Sequence, residues 1–184
     1  MTLNAFLAWD PGDRTGRTWQ LHDGAAVPKP PASDSRGALW AEIGGRLGNH
    51  VIAQGGRARV LFNPGIVPRV RANRNDRVPD IGVTCAPPAA SLMVPDPVLL
   101  IEILSPSNES DTRANVWTYT TIPSVQEILV VHSTRLEAEL LRRRGDGSWL
   151  EEPDTIGPAD SLTFASIDYT TPLAAFYRTT VLAP

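Results

Sequence analysis

The stretch that decides the fold runs Val98-Leu99-Leu100-Ile101-Glu102-Ile103-Leu104-Ser105-Pro106-Ser107-Asn108, and a polar segment of helical length separates it from Glu127-Ile128-Leu129-Val130-Val131. Both apolar runs read as buried strands, since a strand covered on both faces has no need of polar alternation. Ser105-Pro106-Ser107-Asn108 stops the first, and Asn108 with Asp111 has the spacing of a capping box for a helix predicted from about Glu109 to Thr120. Ile122-Pro123-Ser124 ends that helix. A crossover of this length suits two parallel strands joined right-handed through the helix.

Outward from this unit, Leu39, Ile43 and Leu47 lie at four-residue spacing behind a Ser33-Asp34-Ser35 capping cluster, which predicts a helix from about Ser35 to Asn49. Trp40 extends its apolar face. Residues 1–34 read as an irregular lead-in holding one short hairpin, Trp19 to Val27. Val51 to Phe62 alternates weakly, as a strand or a strand pair, before the turn Asn63-Pro64-Gly65. Downstream, Arg135 to Leu140 alternates as a half-exposed strand, Gly145-Asp146-Gly147 turns the chain into Ser148-Trp149-Leu150, and a short strand near Leu162 to Phe164 precedes a closing helix near Pro172 to Tyr177. Together these elements predict one α/β domain over residues 1–184, with helices on the faces of a mixed central sheet.

Composition narrows the function. The formal net charge of −3 argues against a chain that coats nucleic acid by bulk electrostatics, although a local basic patch stays open. Cys85 is the only cysteine, so neither an intrachain disulfide nor a cysteine-rich metal site can form. No membrane-length apolar run and no signal-peptide pattern is present, and the expected setting is cytoplasmic. The basic residues are almost all arginine: Lys29 is the only lysine, in Pro28-Lys29-Pro30-Pro31, and is not expected to fold back from its proline loop.

The acid at the centre of Val98 to Leu104 needs an explanation, because an unpartnered buried carboxylate costs more than a small domain can absorb. Glu102 could be held by a cation side chain, by a hydrogen-bond cage, or by a metal ion shared with a second acid. Asp80, in Val78-Pro79-Asp80-Ile81-Gly82-Val83, is the obvious second acid. A pair of acids on neighbouring strands suits a hard divalent cation such as magnesium.

Val78-Pro79-Asp80, then Ile101-Glu102-Ile103-Leu104-Ser105-Pro106-Ser107, Asp111, Tyr119 and Ile122-Pro123-Ser124-Val125-Gln126-Glu127-Ile128, resemble the Uma-two family of restriction endonucleases, itself similar to the PD-(D/E)xK nuclease superfamily. The likeness is closest from about Arg77 to Val131. It implies a restriction-endonuclease-like fold and Mg2+- or Mn2+-dependent hydrolysis of DNA phosphodiester bonds, with Asp80 and Glu102 as metal ligands and the carbonyl of Ile103 as a third. Fold-level analogy adds a homodimer. The superfamily's usual lysine position, two residues after the second acid, holds Leu104, and the position on the following helix where the family commonly carries it instead holds Asn115. An amide can orient a water or substrate but supplies no charge. The resemblance therefore leaves two readings: a nuclease impaired at Asn115, or a degraded nuclease fold that acts as a nucleic-acid or protein interaction module. A metal phosphohydrolase acting on small substrates is a third.

Other residues carry lesser expectations. Arg71, Arg74 and Arg77, with Arg69, form the one strong basic cluster near the acids and could grip DNA phosphates or be a solvated loop. Arg113 could supply the missing charge, and Glu42 could be a further acid on the first long helix. Asp111 reads as a helix cap more than a ligand, Tyr119 as core more than a substrate contact, and Arg142-Arg143-Arg144 as a solvated hairpin end.

Overall fold

The computed structural model describes residues 1–12 and 17–184. Its elements are α1 (Leu3–Leu7), β1 (Trp19–His22), β2 (Ala25–Pro28), α2 (Asp34–Ala53), β3 (Arg59–Phe62), β4 (Ile81–Thr84), β5 (Pro97–Leu104), α3 (Glu109–Tyr119), β6 (Glu127–His132), β7 (Ala138–Arg142), β8 (Asp154–Ile156), β9 (Ser161–Phe164) and β10 (Tyr169–Pro172), with short 3-10 turns at Ala72–Arg74, Ala165–Ile167 and Leu173–Tyr177. The central sheet has six strands in the order β3-β4-β5-β6-β7-β8. Only β5 and β6 are parallel, paired from Leu99↔Glu127 to Leu104↔His132, and α3 makes the crossover between them.

Strand periodicity sorts β5 between two cores. Leu99, Ile101 and Ile103 join Leu39, Ile43 and Leu47 of α2, together with Phe164, Phe176 and Tyr177. Leu100 and Leu104 face the other way, onto Val116 and Tyr119 of α3 and onto Val125, Ile128 and Val130. Glu102 belongs to this second set by parity, which is why α3 supplies its partners.

The first long helix outruns its expected end, reaching Ala53 with Ser33 as N-cap, so Val51 to Phe62 contributes the single strand β3 and no pair. The capping box at Asn108 does not form: the Asn108 amide oxygen accepts from the Ser105 backbone N–H at 2.7 Å instead. The Trp19–Val27 hairpin is present as β1–β2. Residues 13–16 of the irregular lead-in lie outside the described residues. After Gly147 the chain makes one bridge, Arg143↔Trp149, before the edge strand β8, and Leu162–Phe164 is half of a separate two-stranded sheet with β10. The closing helix is a 3-10 turn. Among the described residues no helix is long and apolar enough to cross a membrane.

Arg143 is half-buried and bonded rather than fully solvated. Its guanidinium donates to the carbonyls of Val125 at 2.7 Å, Ile122 at 2.7 Å and Thr120 at 3.1 Å, and lies over the Trp149 ring. It thereby ties the end of α3 to the β7 edge.

Candidate functional site

The site begins where β4 parts from β5. Their pairing ends at Ile81↔Ile101, so the backbone of Ile103 has no strand beside it on that edge. Side chains complete the ladder. Ile103 N–H donates to Asp80 Oδ2 at 2.7 Å, and the Ile103 carbonyl accepts from Asn108 Nδ2 at 3.1 Å. The Asp80 backbone is fixed as well, its carbonyl accepting from Trp40 Nε1 at 2.8 Å. Trp40 is held in turn by an edge contact with Phe62, whose ring packs so closely on α2 that a Cβ at Gly44 would lie 2.1 Å from it.

Asp80 Oδ1 takes two cations, Arg36 Nη2 at 2.6 Å and Lys29 Nζ at 3.0 Å. Burial pushes the Asp80 pKa up, but Lys29, Arg36 and the Ile103 N–H outweigh it and hold the carboxyl below its usual range. Glu102 lies the other way. It is almost fully buried, and both Tyr119 Oη (2.7 Å) and Asn115 Nδ2 (3.2 Å) donate to the same oxygen, Oε1. Burial, reinforced by the charge of Asp80, pushes its pKa up to about 7 against the pull of Lys29 and these two bonds. The Tyr119 hydroxyl is raised well above its usual value, first by burial and then by the charge of Glu102.

The position of Lys29 corrects the expectation that its proline loop keeps it away from the acids. The β1–β2 hairpin docks on the segment before β4 through the bridge Leu21↔Asp76, with backbone bonds of 2.8 and 3.0 Å. Arg77 donates to the Leu21 carbonyl at 3.0 Å, and Gln20 Oε1 accepts from Val78 N–H at 3.3 Å. Lys29, one residue past β2, is thereby laid across the strand ends, where Nζ also donates to the Val78 carbonyl at 2.6 Å. Its side chain is 10 % exposed.

A cleft of about 400 Å³ opens above, lined by Arg17, Lys29, Arg36, Trp40, Asn63 and Asp80 among others. A narrow recess beyond Lys29 and Arg36 is lined by Gln20, Glu102, Asn108, Asp111 and Asn115. The structure thus brings Asp80, Glu102, Ile103, Asn115 and Tyr119 to one place, with Asp111 at the exposed rim.

Other expected residues lie elsewhere. Arg77 is buried against Leu21 and cannot grip a phosphate, Arg71 pairs with Asp23 at 3.1 Å, and Arg74 is exposed beside Gly24. Arg113 makes a two-bond fork to Glu139, so it is not the missing charge beside the acids. Glu42 pairs with Arg46 at 3.3 Å and Arg178 at 3.1 Å, away from Asp80; the first long helix contributes Arg36 and Trp40 instead. Arg36 carried a readable signal, because it continues the buried face of Leu39, Ile43 and Leu47 at helical spacing. Gln20 and Asn63 carried none.

Hard divalent cations prefer oxygen donors, and magnesium usually takes only one or two protein carboxylates. Among the described residues no group of three or more His, Cys, Asp or Glu could hold a metal ion, so a centre here rests on two carboxylates and neutral oxygens. Those oxygens exist. The Ile103 carbonyl has a second lone pair beyond its Asn108 bond, and Asn115 Oδ1 is buried with no hydrogen-bond partner. The donor set fits such an ion.

A model of the Uma2 family, described as "Putative restriction endonuclease", matches residues 3–165. The chain is 27 % identical over 148 residues to "Uncharacterized protein slr1290" of Synechocystis, covering 79 % of this chain and 75 % of that protein. The fold is similar to the crystal structure of a "putative nuclease belonging to DUF820" from Anabaena variabilis, with a TM-score of 0.79 and 17 % identity over 96 % of this chain and 97 % of that one.

Proposed function

Because the chain belongs to the Uma2 family of restriction-endonuclease-like proteins, we propose that it hydrolyses DNA phosphodiester bonds with a divalent cation, Mg2+ or Mn2+, held by Asp80, Glu102 and the Ile103 carbonyl. What supports this reading is that Asp80 lines a cleft with Arg17, Lys29 and Arg36, while Glu102 lines a recess that Lys29 and Arg36 also border. When bound, such an ion supplies water activation and charge neutralisation at the phosphodiester. The chain's own residues do the rest. Arg36 and the Ile103 N–H fix Asp80, Tyr119 and Asn115 fix Glu102, and the cleft cations seat phosphates. Asn115, with its amide oxygen unpartnered, orients water or substrate. A homodimer acting in the cytoplasm would bring one site to each strand of a duplex.

The test is cleavage of supercoiled plasmid in Mg2+ or Mn2+. Wild type nicks or linearises it and is stopped by chelator, whereas Glu102→Gln, which keeps both acceptor bonds on its amide oxygen, is folded and inactive. Undiminished cutting by Glu102→Gln, or no cutting of duplex or single-stranded DNA by wild type in either metal, refutes the proposal. A second reading, an interaction module, draws on the saturation of Asp80 Oδ1 by two cations. It predicts salt-dependent DNA binding without cleavage.

A further inference from the structure

We infer that Lys29, delivered by the β1–β2 hairpin, is the ammonium that acts on the substrate phosphate, standing in space for the cation that Asn115 does not provide. The inference rests on the nuclease reading.

Lys29 is the only lysine of the chain, and its side chain is mostly covered at the strand ends. An ammonium has three donors. One goes to the Val78 carbonyl at 2.6 Å and one to Asp80 Oδ1 at 3.0 Å, which fixes the nitrogen in place. The third meets only Asn63 Oδ1, at 3.5 Å, a contact too long to be a good bond. Lys29 and Asn63 both line the 400 Å³ cleft, so a phosphate oxygen entering it can take that donor.

Two other cations near the acids have carboxylate partners of their own. Arg36 sits 2.6 Å from Asp80 Oδ1 as its close counter-ion, and Arg113 is turned to Glu139. Asn115 is neutral and spends its N–H on Glu102 and, at 3.5 Å, on Gln20. Lys29 borders both the cleft and the Glu102 recess with a donor to spare.

In the reaction a solvent water forms a new P–O bond with an oxygen lone pair, and the bond from phosphorus to the leaving sugar oxygen breaks with its electron pair. The water's proton is lost to solvent, and the leaving oxygen takes one back. Lys29 stays protonated and holds the negative charge that builds on a non-bridging oxygen. Stabilisation of this kind changes rate more than ground-state binding.

The experiment compares plasmid cleavage, Mn2+ binding by calorimetry and urea unfolding for wild type, Lys29→Met and Lys29→Met combined with Asn115→Lys. The expected result is a fall in kcat of about 10²–10³ for Lys29→Met, with Mn2+ binding and folding retained. Asn115→Lys in that background is expected to recover at least tenfold of the loss. Should the methionine variant fail to fold, Lys29→Gln, which keeps a donor for Val78, takes its place with the same expected loss. A folded Lys29 variant that cuts at the wild-type rate overturns the inference and leaves the nuclease reading standing. A loss that Asn115→Lys does not relieve overturns the exchange of positions and reduces Lys29 to a counter-ion of Asp80. Wild type that binds Mn2+ but cuts nothing overturns both.

Discussion

Glu102→Gln is expected to stabilise the metal-free protein at alkaline pH while abolishing its activity. Both donors to Glu102, Tyr119 Oη and Asn115 Nδ2, meet Oε1, so a glutamine with its carbonyl in that position keeps both bonds and removes the charge. The folded-state pKa is raised from 4.5 to about 7. Below 4.5 the carboxyl is protonated in both states and costs nothing. Between 4.5 and 7 the folded protein binds more protons than the unfolded chain, so stability falls as pH rises. Well above 7 the loss is complete, and at 1.36 kcal/mol per pH unit it amounts to about 3 kcal/mol, of which about 2.5 develops between pH 5 and pH 8. Asp76, buried and raised to about 7, titrates in the same window but cancels in a difference between wild type and variant. Urea unfolding in chelator at both pH values gives that difference. Glu102→Gln is expected to gain about 2.5 kcal/mol on wild type from pH 5 to pH 8. An equal difference at the two values, or a wild type that gains on the variant as pH rises, refutes the account of Glu102 as an acid held against its burial.

Tyr119→Phe removes the shorter of the two Glu102 bonds and is expected to cost about 1–3 kcal/mol, more at pH 8 than at pH 5 because the ionised form loses most; urea unfolding at the two values checks both size and order. Arg143→Ala is expected to cost about 1–3 kcal/mol in the same assay, since three half-buried carbonyls at and beyond the end of α3 lose a charged donor, and a cost below about 0.5 kcal/mol would return Arg143 to the solvated surface. Trp40→Phe removes the bond to the Asp80 carbonyl and is expected to lower stability by about 1 kcal/mol and to weaken Mn2+ binding, read by calorimetry.

The strand-helix-strand unit from Val98 to Val131 was legible because its signals are local: an unbroken apolar run, a Pro-Ser stop and a second run one crossover later. The need of Glu102 for partners was legible for the same reason, since a single charge in an apolar strand demands them; that they are Tyr119 and Asn115, with Asp80 turned to Lys29 and Arg36, was not. Lys29 reaches Asp80 across 51 residues and Gln20 reaches Val78 across 58, through a hairpin whose docking depends on where the segment before β4 runs. Arginine spacing near the acids gave no direction for a related reason. Arg77 points into the seam under the hairpin and Arg113 turns to β7, and sequence spacing says nothing of either direction. Arg36 was the recoverable miss, a charged residue on the apolar stripe of a helix.

A crystal soaked in Mn2+ and measured for anomalous scattering tests the central claim most directly. The account predicts a peak shared by the carboxylates of Asp80 and Glu102, beside the Ile103 carbonyl. No peak there at a Mn2+ concentration that supports DNA cleavage, or a peak bound only by other residues, would contradict it.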